Sequence, residues 1–107
     1  MSDDKELLLK VLEKVDKFYV YLAGISGNEI LLVTTLSVPN EIEVNGQRFK
    51  IVSYLPEDYL NQVVEREEEI FRRYKVYYFV KAYMRKILDT LASAEAERMS
   101  INFDNLT

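Results

Sequence analysis

The residues whose types and spacing invite chemistry are Phe71, Tyr74, Tyr78, Lys81 and Arg85, which recur at intervals of three or four. On a helix each residue turns by ~100°, so this spacing lines them along one stripe. Aromatics interleaved with cations stack bases or grip extended peptide. The plainer account, which is favoured, is a subunit interface, or a helix buried on two sides whose lysine and arginine stems reach water.

Catalysis has little else to draw on. The chain has no histidine and no cysteine. Acid–base and nucleophilic roles would fall to carboxylates, lysine, serine or tyrosine, and zinc and haem lack their usual ligands. Gly24, Gly27 and Gly46 form no phosphate-cradling pattern and fit hairpins better. Glu57, Asp58 and the acidic run 65–69 are the natural place for a carboxylate-bound Mg²⁺. The same charges are sufficiently explained as solvated groups at a helix start. The expectation is a protein that is not an enzyme and carries no cofactor.

Net charge is −4 over 107 residues, with 18 acidic and 14 basic side chains. Such an acidic protein is not drawn as a whole to nucleic acid. Yet every charge from Ile70 to Leu88 is positive: Arg72, Arg73, Lys75, Lys81, Arg85 and Lys86. Glu68 and Glu69 stand four residues before Arg72 and Arg73, the favourable order for helical ion pairs, which leaves few cations for phosphates. The opening Met-Ser-Asp-Asp-Lys-Glu is acidic where a secretory signal starts positive, and no apolar run is long enough to span a membrane. A cytoplasmic address is expected, with no membrane partner.

These residues must be positioned by a single domain. Asp3 and Glu6 have capping-box spacing, and Leu8, Leu12, Val15 and Tyr19 follow at helical intervals, predicting a helix over 3–17. The period then shifts. Two β-branched and aromatic runs, 19–25 and 29–37, flank Gly27-Asn28, whose order suits a type II′ hairpin. That turn sets Ile25 opposite Ile30, Ala23 opposite Leu32 and Leu22 opposite Val33. Both faces of this hairpin are then largely apolar, as in strands covered on two sides. The cover is either the C-terminal helices or a partner chain; Tyr19, Tyr21, Leu22, Leu31 and Val33 form the candidate oligomer face.

Asn45-Gly46 is the preferred type I′ pair and fixes a second hairpin, with Glu43 opposite Arg48, Glu41 opposite Lys50 and Ile42 opposite Phe49. Pro56-Glu57-Asp58 then opens a helical region with no further glycine or proline. An unbroken helix from Pro56 to Arg98 would run ~63 Å. It must bend near Tyr74 or project against a second chain. The run Val76 to Val80 has strand character, but its helical flanks assign it to the helix. The expected fold is α+β: an N-terminal helix, a four-stranded antiparallel meander of two hairpins, and a long C-terminal helix or helix pair.

The second half resembles the SecB family of export chaperones and their toxin–antitoxin relatives. That family places Phe-x-Ile before Pro-Glu-Glu, and here Phe49-Lys50-Ile51 precedes Pro56-Glu57-Asp58. Its main helix carries Tyr-Ala-Arg followed by Ile and Leu, matched by Tyr83-Met84-Arg85, Ile87, Leu91 and Ser93. Its closing Val-Asn-Phe-Asp-x-Leu is matched by Ile101-Asn102-Phe103-Asp104-Asn105-Leu106. The resemblance implies a four-stranded antiparallel sheet with long C-terminal helices, self-association, and ATP-independent holding of unfolded clients. The glycine- and proline-rich loop of that family is replaced by 92–98, which read as helix, and the chain starts with a helix rather than a strand.

The expectation is therefore a protein-binding module that partners itself, as a homodimer or higher, and unfolded or partner protein. Two other readings stand beside it. One is a dimeric single-stranded nucleic-acid binder using the sheet and the 71–85 stripe. The other is a viral or phage inhibitor docking on one host protein.

Overall fold

The computed structural model describes residues 3–65 and 73–106. Helix α1 spans Asp4–Glu13, capped by Asp3, whose side chain accepts the Lys5 N–H at 3.2 Å. It stops four residues short of the expected end. Asp16 accepts the Phe18 N–H at 3.0 Å and caps a separate 3-10 turn, Lys17–Tyr19, which swings the chain into the sheet.

Strands β1 (Val20–Ser26) and β2 (Glu29–Thr34) form the first hairpin in the expected register, Ile25 opposite Ile30, Ala23 opposite Leu32 and Leu22 opposite Val33. Strands β3 (Glu41–Val44) and β4 (Gln47–Tyr54) form the second, with Glu43 opposite Arg48, Glu41 opposite Lys50 and Ile42 opposite Phe49. Asn45 and Gly46 take φ of 53° and 77°, as a type I′ turn demands.

The meander is corrected. The sheet has five strands in the order β3-β4-β2-β1-β5, and β2 pairs with β4 in parallel while every other pair is antiparallel. In a meander β3 would lie beside β2. Here the connection through Pro39 carries the second hairpin across, so β4 takes the interior place. Polarity explains the choice: β4 buries Phe49 and Ile51, whereas β3 is short and carries exposed Glu41 and Glu43, the charges that protect a sheet edge.

The second correction concerns 56–98. Among the described residues this stretch divides into α2 (Pro56–Glu65), β5 (Lys75–Phe79) and α3 (Lys81–Leu106). Val76 to Phe79 pair along the free edge of β1, with Leu22 opposite Phe79 and Ala23 opposite Tyr78. An unpaired β1 edge would strand buried backbone groups, and a β-branched, aromatic run suits a half-buried pleated position. These non-local gains overrode the helical spacing. The register slips between Ala23 and Gly24, leaving Tyr77 as the extra residue of a β-bulge.

The sheet is covered on both faces. On one side Leu8, Val11 and Leu12 of α1 pack against Ala23, Ile30, Leu32 and Phe49. On the other, Tyr59 and Leu60 of α2 and Tyr83 and Ile87 of α3 pack against Leu22, Leu31 and Val33. Helix α3 has 26 residues, ~39 Å at 1.5 Å each. It draws the radius of gyration to 16.1 Å, above the ~13 Å of a compact chain this long.

Candidate protein-docking groove

The structure separates the aromatic–cation stripe. Phe71 lies outside the described residues. Tyr74 is 6% exposed, and its hydroxyl donates to Glu29 Oε2 at 3.0 Å. The same carboxylate accepts from Arg73 at 2.9 Å, and the Arg73 guanidinium sits 5.5 Å from the Tyr74 ring centre. Burial, reinforced by the bond to Glu29, pushes the Tyr74 hydroxyl up to about 12. Tyr74 thus ties the entry of β5 to the start of β2. Tyr78 packs on the opposite face with the α1 core and donates to the Lys17 carbonyl at 3.3 Å. Four residues apart, the two tyrosines would share a face on a regular strand; the extra residue at Tyr77 sends them to opposite faces. Lys81 and Arg85 remain together, exposed at the start of α3.

The candidate oligomer face is also redistributed. Leu22, Leu31 and Val33 are fully buried beneath the chain's own α2 and α3. Tyr21 is partly buried and meets Tyr83 edge-on, ring centres 5.6 Å apart. Tyr19 is half-exposed in the 3-10 turn. Of the two covers the sequence allowed, the C-terminal helices are the one seen.

Apolar surface is left elsewhere. Phe79 is 46% exposed, Val80 38% and Leu88 53%. They surround the junction where β5 ends and α3 begins, a junction of the single residue Val80. The Val80 N–H donates to Tyr21 O at 2.8 Å and Met84 N–H donates to Val80 O at 3.0 Å, so the sheet ladder runs straight into the first helical turn. A groove of 630 Å³ lies there, floored by Phe79, Met84 and Leu88, with Lys81, Arg85 and Asp89 on its rim. A second hollow of 310 Å³ adjoins it across Ala82, reaching Val80, Leu60 and Pro56. Both volumes are large enough for a few large side chains or a small ligand.

The sequence pointed to Lys81 and Arg85 but not to their apolar company. Helical spacing alone sets Met84 and Leu88 among ordinary core positions and gives Phe79 no role. The signal is the strand character of Val76 to Val80, since a strand there sets Phe79 on the same face as Leu22, beside the start of α3.

β5 forms one edge of the sheet, and among the described residues no strand pairs with its outer side. Among the same residues no three acidic, histidine or cysteine side chains gather as a metal site, and no helix is long and apolar enough to cross a membrane. No family model, curated protein or solved structure matches the chain.

Proposed function

We propose that this chain is a non-enzymatic, cytoplasmic protein-binding module that docks partner segments in the groove between the end of β5 and the open face of α3. The observation that carries the reading is the cluster of half-exposed Phe79, Val80 and Leu88 beside a sheet edge. Leu9, Phe18, Tyr19 and Leu55 are exposed too, but they lie outside β5 and α3 and do not line this groove. Burying the open half of Phe79 removes ~90 Å² from water, ~2 kcal/mol at 25 cal/mol per Å². Leu88 adds a comparable amount. Such anchors supply the usable binding energy of small interfaces.

The SecB likeness supports a holding role within this reading. Its three segments fall on β4 with the start of α2, the first turns of α3, and the far end of α3. The parallel β2–β4 pairing and the fifth strand depart from the antiparallel sheet that the likeness implies, so the groove rather than the family carries the proposal. The first hairpin no longer calls for a second copy.

The test is suppression of aggregation of a chemically unfolded client at near-equal molar ratio. The native chain is expected to suppress it and Leu88→Glu to lose most of the effect, with unchanged circular dichroism because Leu88 is half in water already. Equal performance of the two, or no suppression by either, rejects the groove as the docking surface.

A further inference from the structure

We infer that the occupant of the β5–α3 groove is an acidic segment, an apolar anchor with carboxylates within a few residues of it, rather than a second copy of this chain. The inference rests on the docking function proposed above and adds the chemistry of the partner.

The groove is apolar at its floor and cationic at its rim. Lys81 and Arg85 flank Leu88 on α3, and Lys75 opens the strand that leads to Phe79. Among the described residues neither Lys81 nor Arg85 has a carboxylate within salt-bridge distance; the ion pairs there are Arg48–Glu41 and Arg73–Glu29. Among the described residues Asp89 is the one acidic residue lining the groove. These cations also sit at the wrong end of their helix, since Lys81 and Arg85 crowd the first turns of α3, where the backbone dipole is positive. The first turn of α3 holds no acidic residue, whereas α1 has Asp4 and Glu6 there and α2 has Glu57 and Asp58. Cations placed so are relieved by carboxylates arriving from outside.

A second copy relieves them poorly. In an antiparallel two-fold contact that sets each Asp89 against one Arg85, each Lys81 meets Ser93, so Lys81 and the positive helix starts gain no carboxylate. A phosphate backbone matches the cations but meets Asp89, and these few cations release few counterions. An acidic peptide meets both demands, with its anchor on Phe79 and Leu88 and its carboxylates on Lys81 and Arg85.

The experiment uses two labelled peptides with identical leucine and phenylalanine anchors, one carrying glutamates and the other lysines between them, and a labelled oligothymidylate. Anisotropy is read at low and physiological salt against the native chain, Lys81→Glu/Arg85→Glu and Leu88→Ser. The glutamate peptide is expected to bind the native chain about tenfold tighter than the lysine peptide, weakening with salt, with the order inverted in the charge-reversed protein. Equal binding of both peptides, abolished by Leu88→Ser, overturns the acidic preference and leaves the docking function standing. Binding of the oligonucleotide alone, or of nothing, overturns both. A dimer in sedimentation that Leu88→Ser dissolves makes the second copy the occupant and overturns the inference.

Discussion

Replacing Gly24 with alanine tests how the groove is held in place. Gly24 lies in the middle of β1, not in a turn, and faces the point where the chain enters β5. A Cβ built there would stand 3.0 Å from Tyr74 Cβ and 3.1 Å from the Lys75 carbonyl oxygen. One obstacle is backbone and the other is fixed to it, so neither yields by a change of rotamer. The bulge must move outward, away from β1, and with it the Tyr74 hydroxyl that reaches Glu29 at 3.0 Å. Overpacking of this kind costs ~1–3 kcal/mol, and alanine regains at most ~1 kcal/mol through its lower unfolded-state entropy. The expected loss is ~1–2 kcal/mol, a melting temperature lower by roughly 4–15 °C for a domain of this size. Urea unfolding measures the total, and amide exchange of 75–79 locates it. Gly46→Ala is the control: its φ of 77° strains alanine, but nothing lies within 4 Å, so its cost leaves β5 exchange untouched. A Gly24→Ala protein as stable as the native chain, or one whose exchange rises evenly, refutes the close-approach argument.

Two further outcomes follow from the tyrosines around α2. The Tyr59 hydroxyl is fully buried and has no hydrogen-bond partner among the described residues, so Tyr59→Phe removes an unpaid polar group and is expected to stabilise by ~1 kcal/mol in urea unfolding; a loss of similar size would show that the hydroxyl is satisfied after all. Burial holds the hydroxyls of Tyr59, Tyr74 and Tyr83 protonated above the ordinary value of 10.0. The folded chain then keeps protons that the unfolded chain releases, so stability is full below pH ~10 and falls above it, by ~1.4 kcal/mol per pH unit for each such tyrosine. Denaturation at pH ~9 and ~11 reads this, and equal stability at the two contradicts the burial argument.

What the sequence disclosed, and what it hid, divides by the range of the forces involved. Both hairpins and their registers were legible because Gly27-Asn28 and Asn45-Gly46 admit few backbone conformations, and a two-residue turn fixes every pair that follows. The doubly apolar β1 and β2 correctly announced a covering layer on each face. The parallel β2–β4 pairing was hidden because it joins segments whose connection is a whole hairpin, with no local turn to encode it. β5 was hidden for a related reason: between two helical stretches Val76 to Phe79 fits either period, and only the vacant edge of β1 decides. The site followed the same division. Lys81 and Arg85 stood out by charge, while Phe79 and Leu88 took their meaning from a strand that local spacing did not favour.

The position of the open apolar surface is itself a consequence of that strand. Projected at ~100° per residue, Tyr83, Ile87, Leu91, Met84 and Leu88 occupy an arc of ~140° on α3, with Lys81 and Arg85 next around the helix. The sheet covers the Tyr83–Ile87 side of the arc, since those two are buried, while Met84 and Leu91 are half-covered and Leu88 falls beyond reach. With Val80 alone between strand and helix, no loop exists to fold Phe79 back over Leu88. A polar residue at 88 would close the arc at ~100° and satisfy the fold equally well. The wider arc adds nothing to this chain's own core, and its excess lies where two cations stand at a helix start that prefers anions. Packing therefore accounts for Tyr83 and Ile87, and the acidic, anchor-bearing partner we propose would account for Leu88, Lys81 and Arg85.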